Sequence, residues 1–358
     1  MRATFVVAAF VAAAAAQPQL SYYEDFNDGR PQDWASDQGI WRAENQYFHG
    51  IGQLVNNRYE NVAFVNSFGG EHVSVEADLH TDAGTDNVNK MLVARYQDPG
   101  NYLIFNFIAA PRNFFVVAQV VNGVGARILP EFTYSLPHHG QTEWRHCRID
   151  LDGTRVIAYF DGGEVFNAHI PEIEVRPGVV VGMTFSTPSG GNEELFVDDF
   201  RASYFDYSPM ANVTVSPGIV TSGNVNSVAE PDGNFLMMRP GPVFGAGQPP
   251  IRATFSTTSL VAVPTELRLK FQGIVSALNL RQVIALMNYQ TNQFEIVSDG
   301  TGPLVNSRHE LVFTQNPARF INQVNGGIQV QVSYVPTGPI FSNPWTARID
   351  YVAVTSRT

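Results

Sequence analysis

The chain has 358 residues, with 22 Lys plus Arg against 33 Asp plus Glu, and a formal net charge of −11. Charged residues make up only 15% and hydrophobic ones 44%, which excludes a disordered chain, since disorder needs dense charge and little apolar mass. The same balance excludes a heptad coiled coil, and an acidic surface that repels phosphate excludes a nucleic-acid partner. At the N-terminus, Met1-Arg2 supplies a short positive end and residues 3–16 an apolar run. Ala14-Ala15-Ala16 then forms a small-residue cleavage site before Gln17. Residues 1–16 therefore read as a bacterial-type secretory signal peptide, which predicts a secreted, extracellular or cell-surface protein. No later stretch reaches the ~18 apolar residues of a transmembrane helix.

Beyond the leader, alternation of apolar and polar residues dominates, which is the period of a half-buried strand. Val73-Ser74-Val75-Glu76-Ala77-Asp78-Leu79-His80 puts four apolar side chains on one face and four polar ones on the other. Residues 101–107, 114–121, 156–160 and 179–185 read as further strands. Turn pairs such as Asn122-Gly123 and Asp161-Gly162 fall between them. The pattern breaks over 207–216, which reads as a linker, and resumes with strands near 234–239, 252–255, 266–271, 282–288, 310–314 and 327–334. Short strands at this spacing predict an all-β chain of two β-sandwiches, one over 17–206 and a smaller one over 217–358, with little helix. Cys147, the single cysteine, lies in an alternating run and reads as a small buried hydrophobe rather than a reactive thiol. With no disulfide, both cores must hold by burial alone.

Residues 21–205 carry Tyr23-Glu24-Asp25-Phe26-Asn27-Asp28-Gly29 with Trp34, then Gly39-Ile40-Trp41, and a run from Met91 through Arg95-Tyr96-Gln97-Asp98 to Asn101-Tyr102. Trp144, Gly153, Tyr159-Phe160-Asp161-Gly162 and Val197-Asp198-Asp199-Phe200 follow in order. On these motifs the first half resembles the concanavalin A-like lectin/glucanase superfamily, and within it the bacterial laminin-G-like branch that includes 3-keto-disaccharide hydrolases. The resemblance implies a jelly roll, in a superfamily that mixes lectins, glucanases and structural modules. The second half resembles β-sandwich modules at the C-termini of secreted bacterial proteins, on Ser222-Gly223-Asn224, Asp232-Gly233-Asn234, residues 316–321 and Pro344-Trp345.

A glycosidase needs two carboxyl groups flanking the scissile bond. Glu76 and Asp78, two apart on one strand face with Cα atoms about 6.5–7 Å apart, are the only such pair that can be named. Glucanases of the superfamily close this motif with a further Glu, and here Thr81 and Asp82 stand in its place, so catalysis is not carried over. A solvated outer face accounts for both carboxylates. The resemblance also implies a structural Ca²⁺ between the first and last strands, at Asp25 and Asp198, and a hard cation wants six to eight oxygens. The alternative is that these carboxylates only accept hydrogen bonds. Trp41, Arg95, Tyr96 and Tyr102, with Tyr47, are candidates for stacking on and hydrogen bonding to a sugar, although hairpin packing also explains Arg95, Tyr96 and Tyr102. Trp144 and Trp345 read as core plugs. His138-His139 and the acidic stretch Asp82, Asp86, Asn87 have no metal-site spacing.

The resulting expectation is a secreted, non-catalytic glycan- or surface-binding protein whose partner is a polysaccharide or cell-surface glycan. One alternative is a glycoside or keto-sugar hydrolase using Glu76 and Asp78. The other is a structural, self-assembling extracellular protein, since long strands with few charges leave edges open to a homo-oligomer.

Overall fold

The computed structural model describes residues 21–37, 39–52, 60–81, 89–108, 113–128, 134–137, 142–171, 173, 180–186, 194–245, 247–340 and 344–358. The leader, the His138-His139 pair and Asp82, Asp86 and Asn87 lie outside them. The described residues form 26 strands and two single-turn 3₁₀ helices, with no α-helix. The expected strands are present, among them His72–Thr81, Asn101–Ile108, Phe114–Val121, Arg155–Phe160, Glu266–Val275 and Gly327–Pro336. Asn122-Gly123 and Asp161-Gly162 turn with φ of 53° and 73°, and 48° and 79°. Two successive left-handed residues match the right-handed twist of the flanking strands, which is why Asn-Gly and Asp-Gly occur there.

The first sandwich packs an eight-stranded sheet against one portion of a 13-stranded sheet, and the second packs a five-stranded sheet against the other portion. Val73, Val75, Ala77 and Leu79 enter the first core with Phe105, Phe115, Ile149, Leu195 and Phe200, all at most 1% exposed. A separate second core holds Phe255, Leu269, Phe271, Val330, Tyr334 and Val352. Cys147 is fully buried, and burial pushes its thiol well up, so it is an inert hydrophobe. Trp345 is buried in the second core, as its position before a strand implied.

Residues 207–216 form no irregular linker. The Glu194–Pro209 strand runs unbroken out of the first sandwich and pairs with the closing Ala347–Arg357 strand, Tyr207 opposite Thr355. After a short turn, Asn212–Val215 pairs in the five-stranded sheet. The Pro and Ser residues that break the alternation mark a change of sheet, and backbone pairing continues on both sides of it.

Candidate functional site

The strand His72–Thr81 is central to the first portion of the large sheet. Because Val75, Ala77 and Leu79 point into the core, Glu76, Asp78 and His80 point outward. Arg145–Asp152 pairs on one side, placing His146 opposite Asp78 and Arg148 opposite Glu76. Glu194–Pro209 pairs on the other, placing Phe196 opposite His80, Asp198 opposite Asp78 and Arg201 opposite Glu76. A bulge between Asp198 and Arg201, with Asp199 at φ 46°, inserts one residue into the alternation. Phe200 therefore turns into the core and Arg201 returns to the outer face.

Cross-strand pairing thus lays out three rows on that face. The first is aromatic: His49 stacks on Phe196 at 4.4 Å, and His80 lies 5.5 Å from Phe196. Trp144, 39% exposed, leans over this row to 5.2 Å from His80 and 5.1 Å from Tyr47. The second row is His146, Asp78 and Asp198. His146 Nδ1 is 2.7 Å from Asp78 Oδ1, and its Nε2 is 3.7 Å from Glu76 Oε2. The hydrogen bond with Asp78, then Glu76, raises the imidazole to about 9, so it is a cation at neutral pH. Partial burial, with the charges of Asp199, Asp78 and Asp25, pushes the Asp198 carboxyl up.

The third row, Arg148, Glu76 and Arg201, lies against the second sandwich. Glu76 is 6% exposed, which corrects the expectation of a solvated face. What buries it is the second sandwich: Arg357, on its closing strand, donates to Glu76 Oε2 at 2.9 Å. Burial alone would raise the Glu76 carboxyl, but the His146 contact and the charges of Arg357 and Arg148 hold it well below the usual range. Arg148 forks onto Asp150 at 2.8 and 2.7 Å and reaches Glu266 of the second sandwich at 3.3 Å. Lys270 donates to the Tyr159 hydroxyl and to Glu164, both at 2.9 Å. Two cavities flank the Glu76–Arg357 pair. One, of about 340 Å³, is lined by Tyr23, Glu76, Arg201, Thr265 and Arg357. The other, of about 190 Å³, is lined by Glu76, His146, Arg148, Tyr159, Arg268 and Arg357.

The other sequence candidates lie elsewhere. Trp41 packs against the first core, 5.2 Å from Phe48, with its ring over Gly50, where even a Cβ would meet it at 2.6 Å. Arg95, Tyr96 and Tyr102 are 2%, 4% and 3% exposed, so burial withdraws them from any sugar. Arg95 Nη2 donates to the carbonyls of Glu71 and Gly153 at 2.9 and 2.5 Å, and burial lowers its guanidinium. Tyr96 stacks on Phe64 at 4.6 Å and donates to Asp37. All three bind the hairpin to its surroundings, the packing role weighed for them beside sugar contact. Trp144, expected to plug the core, is instead the exposed ring of the aromatic row.

The Asp25 and Asp198 carboxylates are near enough for Asp25 to raise Asp198, but one oxygen of each already accepts a neighbouring backbone amide, from Asn27 and Asp199. Among the described residues no three His, Cys, Asp or Glu side chains gather in a way that could hold a metal ion. Side-chain carboxylates alone therefore do not complete the six to eight oxygens of a Ca²⁺ shell here.

No family model matches the chain, and no curated protein matches its sequence. Among solved structures it is similar to a carbohydrate binding module, CBM66, from Bacillus subtilis, at 20% identity and a TM-score of 0.33, over 48% of this chain and 91% of that one. It is also similar to the beta-glucanase of Bacillus licheniformis, at 16% identity and a TM-score of 0.39, over 52% and 99%. A prokaryotic beta-1,3-1,4-glucanase (lichenase) from a mouse hindgut metagenome matches at 12% identity and a TM-score of 0.40, over 52% and 99%.

Proposed function

We propose that this is an exported, non-catalytic glycan-binding protein whose site is the outer face of the His72–Thr81, Arg145–Asp152 and Glu194–Pro209 strands. The observation that carries this reading is the exposed Trp144 ring beside Tyr47, His80 and Phe196, next to a row of carboxylates and a protonated imidazole. A sugar ring offers C–H faces to an aromatic platform, and its hydroxyls pair with both acceptors and donors. Asp78 and Asp198 supply the acceptors and His146 a donor. With Asp199 and Asp25 also close by, the row favours uncharged over acidic sugars. The first-half resemblance to the laminin-G-like branch, and the leader, belong with this reading.

The electrostatics count against Glu76 as the acid of a Glu76/Asp78 glycosidase pair. A glycosidase needs one carboxyl kept protonated as the acid. His146 and Arg357 hold Glu76 ionised, so Glu76 does not supply that acid. A glycan array run with the native chain and with Trp144→Ala tests the proposal. Retention of neutral glycans by the native chain, lost in the variant, is expected; equal retention by both, or none by either, overturns it.

A further inference from the structure

We infer that the glycan site is shared between the two sandwiches, and that Arg357 of the second is a positioning residue holding Glu76 as an acceptor on its floor. This rests on the proposed function and adds that the jelly roll alone is an incomplete site.

Four observations lead there. Glu76 lies on the floor of the first sandwich, yet the ion pair that fixes it comes from Arg357, 281 residues away in sequence. Arg357 is itself fixed, since its other terminal nitrogen donates to Glu266 Oε2 at 3.3 Å. Glu266 in turn accepts from Arg268 at 2.5 Å and Arg148 at 3.3 Å. Both flanking cavities draw walls from both sandwiches, Thr265 and Arg357 in one and Arg268 and Arg357 in the other. Finally, backbone pairing of Glu194–Pro209 with Ala347–Arg357 ties the wall to the floor, so Arg357 is held without a hinge.

The groups facing Glu76 can be named from every neighbouring element. Asp78 is on its own strand, His146 and Arg148 on the next, and Arg201 opposite on the other side. Tyr23 and Tyr159 line the cavities, and Arg357, Glu266 and Arg268 come from the second sandwich. With Arg357 removed, a buried carboxylate keeps His146 and Arg148 but loses its 2.9 Å ion pair, so its protonation moves up towards the acid range. A ligand hydroxyl donating to Glu76 would then lose its acceptor as the pH falls.

The test uses the full chain and a neutral glycan retained on the array, with Kd measured from pH 4.5 to 8 for the native protein, Arg357→Gln, Arg357→Lys and Glu76→Gln. The native profile is the reference, with Glu76 ionised across this range. Arg357→Gln should weaken binding about tenfold near pH 5, the scale of a hydrogen bond to a charged group, and less at pH 8. Arg357→Lys should restore the native profile, and Glu76→Gln should weaken binding by the same factor at every pH. A native-like profile for Arg357→Gln overturns the inference while leaving the glycan reading intact, as does full affinity in Glu76→Gln. If the native chain retains no glycan, the glycan reading falls, and NMR titration of the Glu76 carboxyl decides the rest: titration unmoved by Arg357→Gln overturns the positioning role. Should Arg357→Gln not fold, the Lys and Glu76→Gln profiles decide it.

Discussion

Replacing Arg148 by Met isolates the energetics of the seam between the sandwiches. Arg148 is 4% exposed, forks onto the fully buried Asp150, touches Glu266, and lies 4.9 Å over the Tyr159 ring. Met fills much of the volume but leaves Asp150 as a buried charge without its ion-pair partner. Breaking a buried pair from one side costs about 3–5 kcal/mol, whereas an exposed pair is worth about 0–1. Glu266 stays compensated by Arg268 and Arg357, so the loss concentrates on Asp150. Removing both charges, in Arg148→Met with Asp150→Leu, should recover most of the deficit, because replacing a whole ion pair with apolar groups is often neutral. Urea unfolding read at constant slope measures both changes. A single-variant loss below about 1 kcal/mol would refute the reasoning. So would a double variant as unstable as the two single losses added together.

Acid should loosen the same seam. Glu266, held at about 2 by Arg268, Arg148 and Arg357 against its burial, contributes about 3 kcal/mol that is present above pH 4.5 and lost as pH falls through 2. Unfolding midpoints measured from pH 6 to 2 should fall along that window, and an unchanged midpoint at pH 2.5 would contradict it. Trp144→Ala should cut glycan affinity at least tenfold while shifting Tm little, since the ring is 39% exposed; Trp41→Ala should do the reverse, costing about 3–5 kcal/mol of stability if its packing is as described. Tm with and without a chelator tests the expected cation at Asp25 and Asp198: a fall of several degrees supports it, and an unchanged Tm removes it.

Alternation alone located the strands whose faces differ, because a strand with one buried side must repeat every second residue. It missed Gln293–Thr301, an edge strand that among the described residues pairs only with Leu280–Asn288 and contributes little to the core, so nothing forces a period on it. It read residues 207–216 as a break, because a strand changing sheets loses its one-sided pattern while keeping its backbone pairing. The polar side of 73–80 was also legible, with Glu76 and Asp78 named from it. That Trp144, Phe196 and Tyr47 share this face was not, because register between strands scores of residues apart leaves no mark in local sequence. Arg95, Tyr96 and Tyr102 show the converse: aromatic and cationic residues in a hairpin look like ligand contacts until packing buries them.

By itself, then, the sequence determined an all-β chain of two sandwiches, a buried inert Cys147, and a polar strand face bearing Glu76 and Asp78. These follow from side-chain period and composition, which are local. Only the tertiary structure decided what that face does with its charges. Arg357 arrives from the far end of the chain to neutralise Glu76, His146 settles between the two carboxylates, and Trp144 folds over the open end. Once folded, the buried charges Glu76, Arg148 and Asp150 are held in pairs at the seam, because a charge taken out of water persists only beside its opposite.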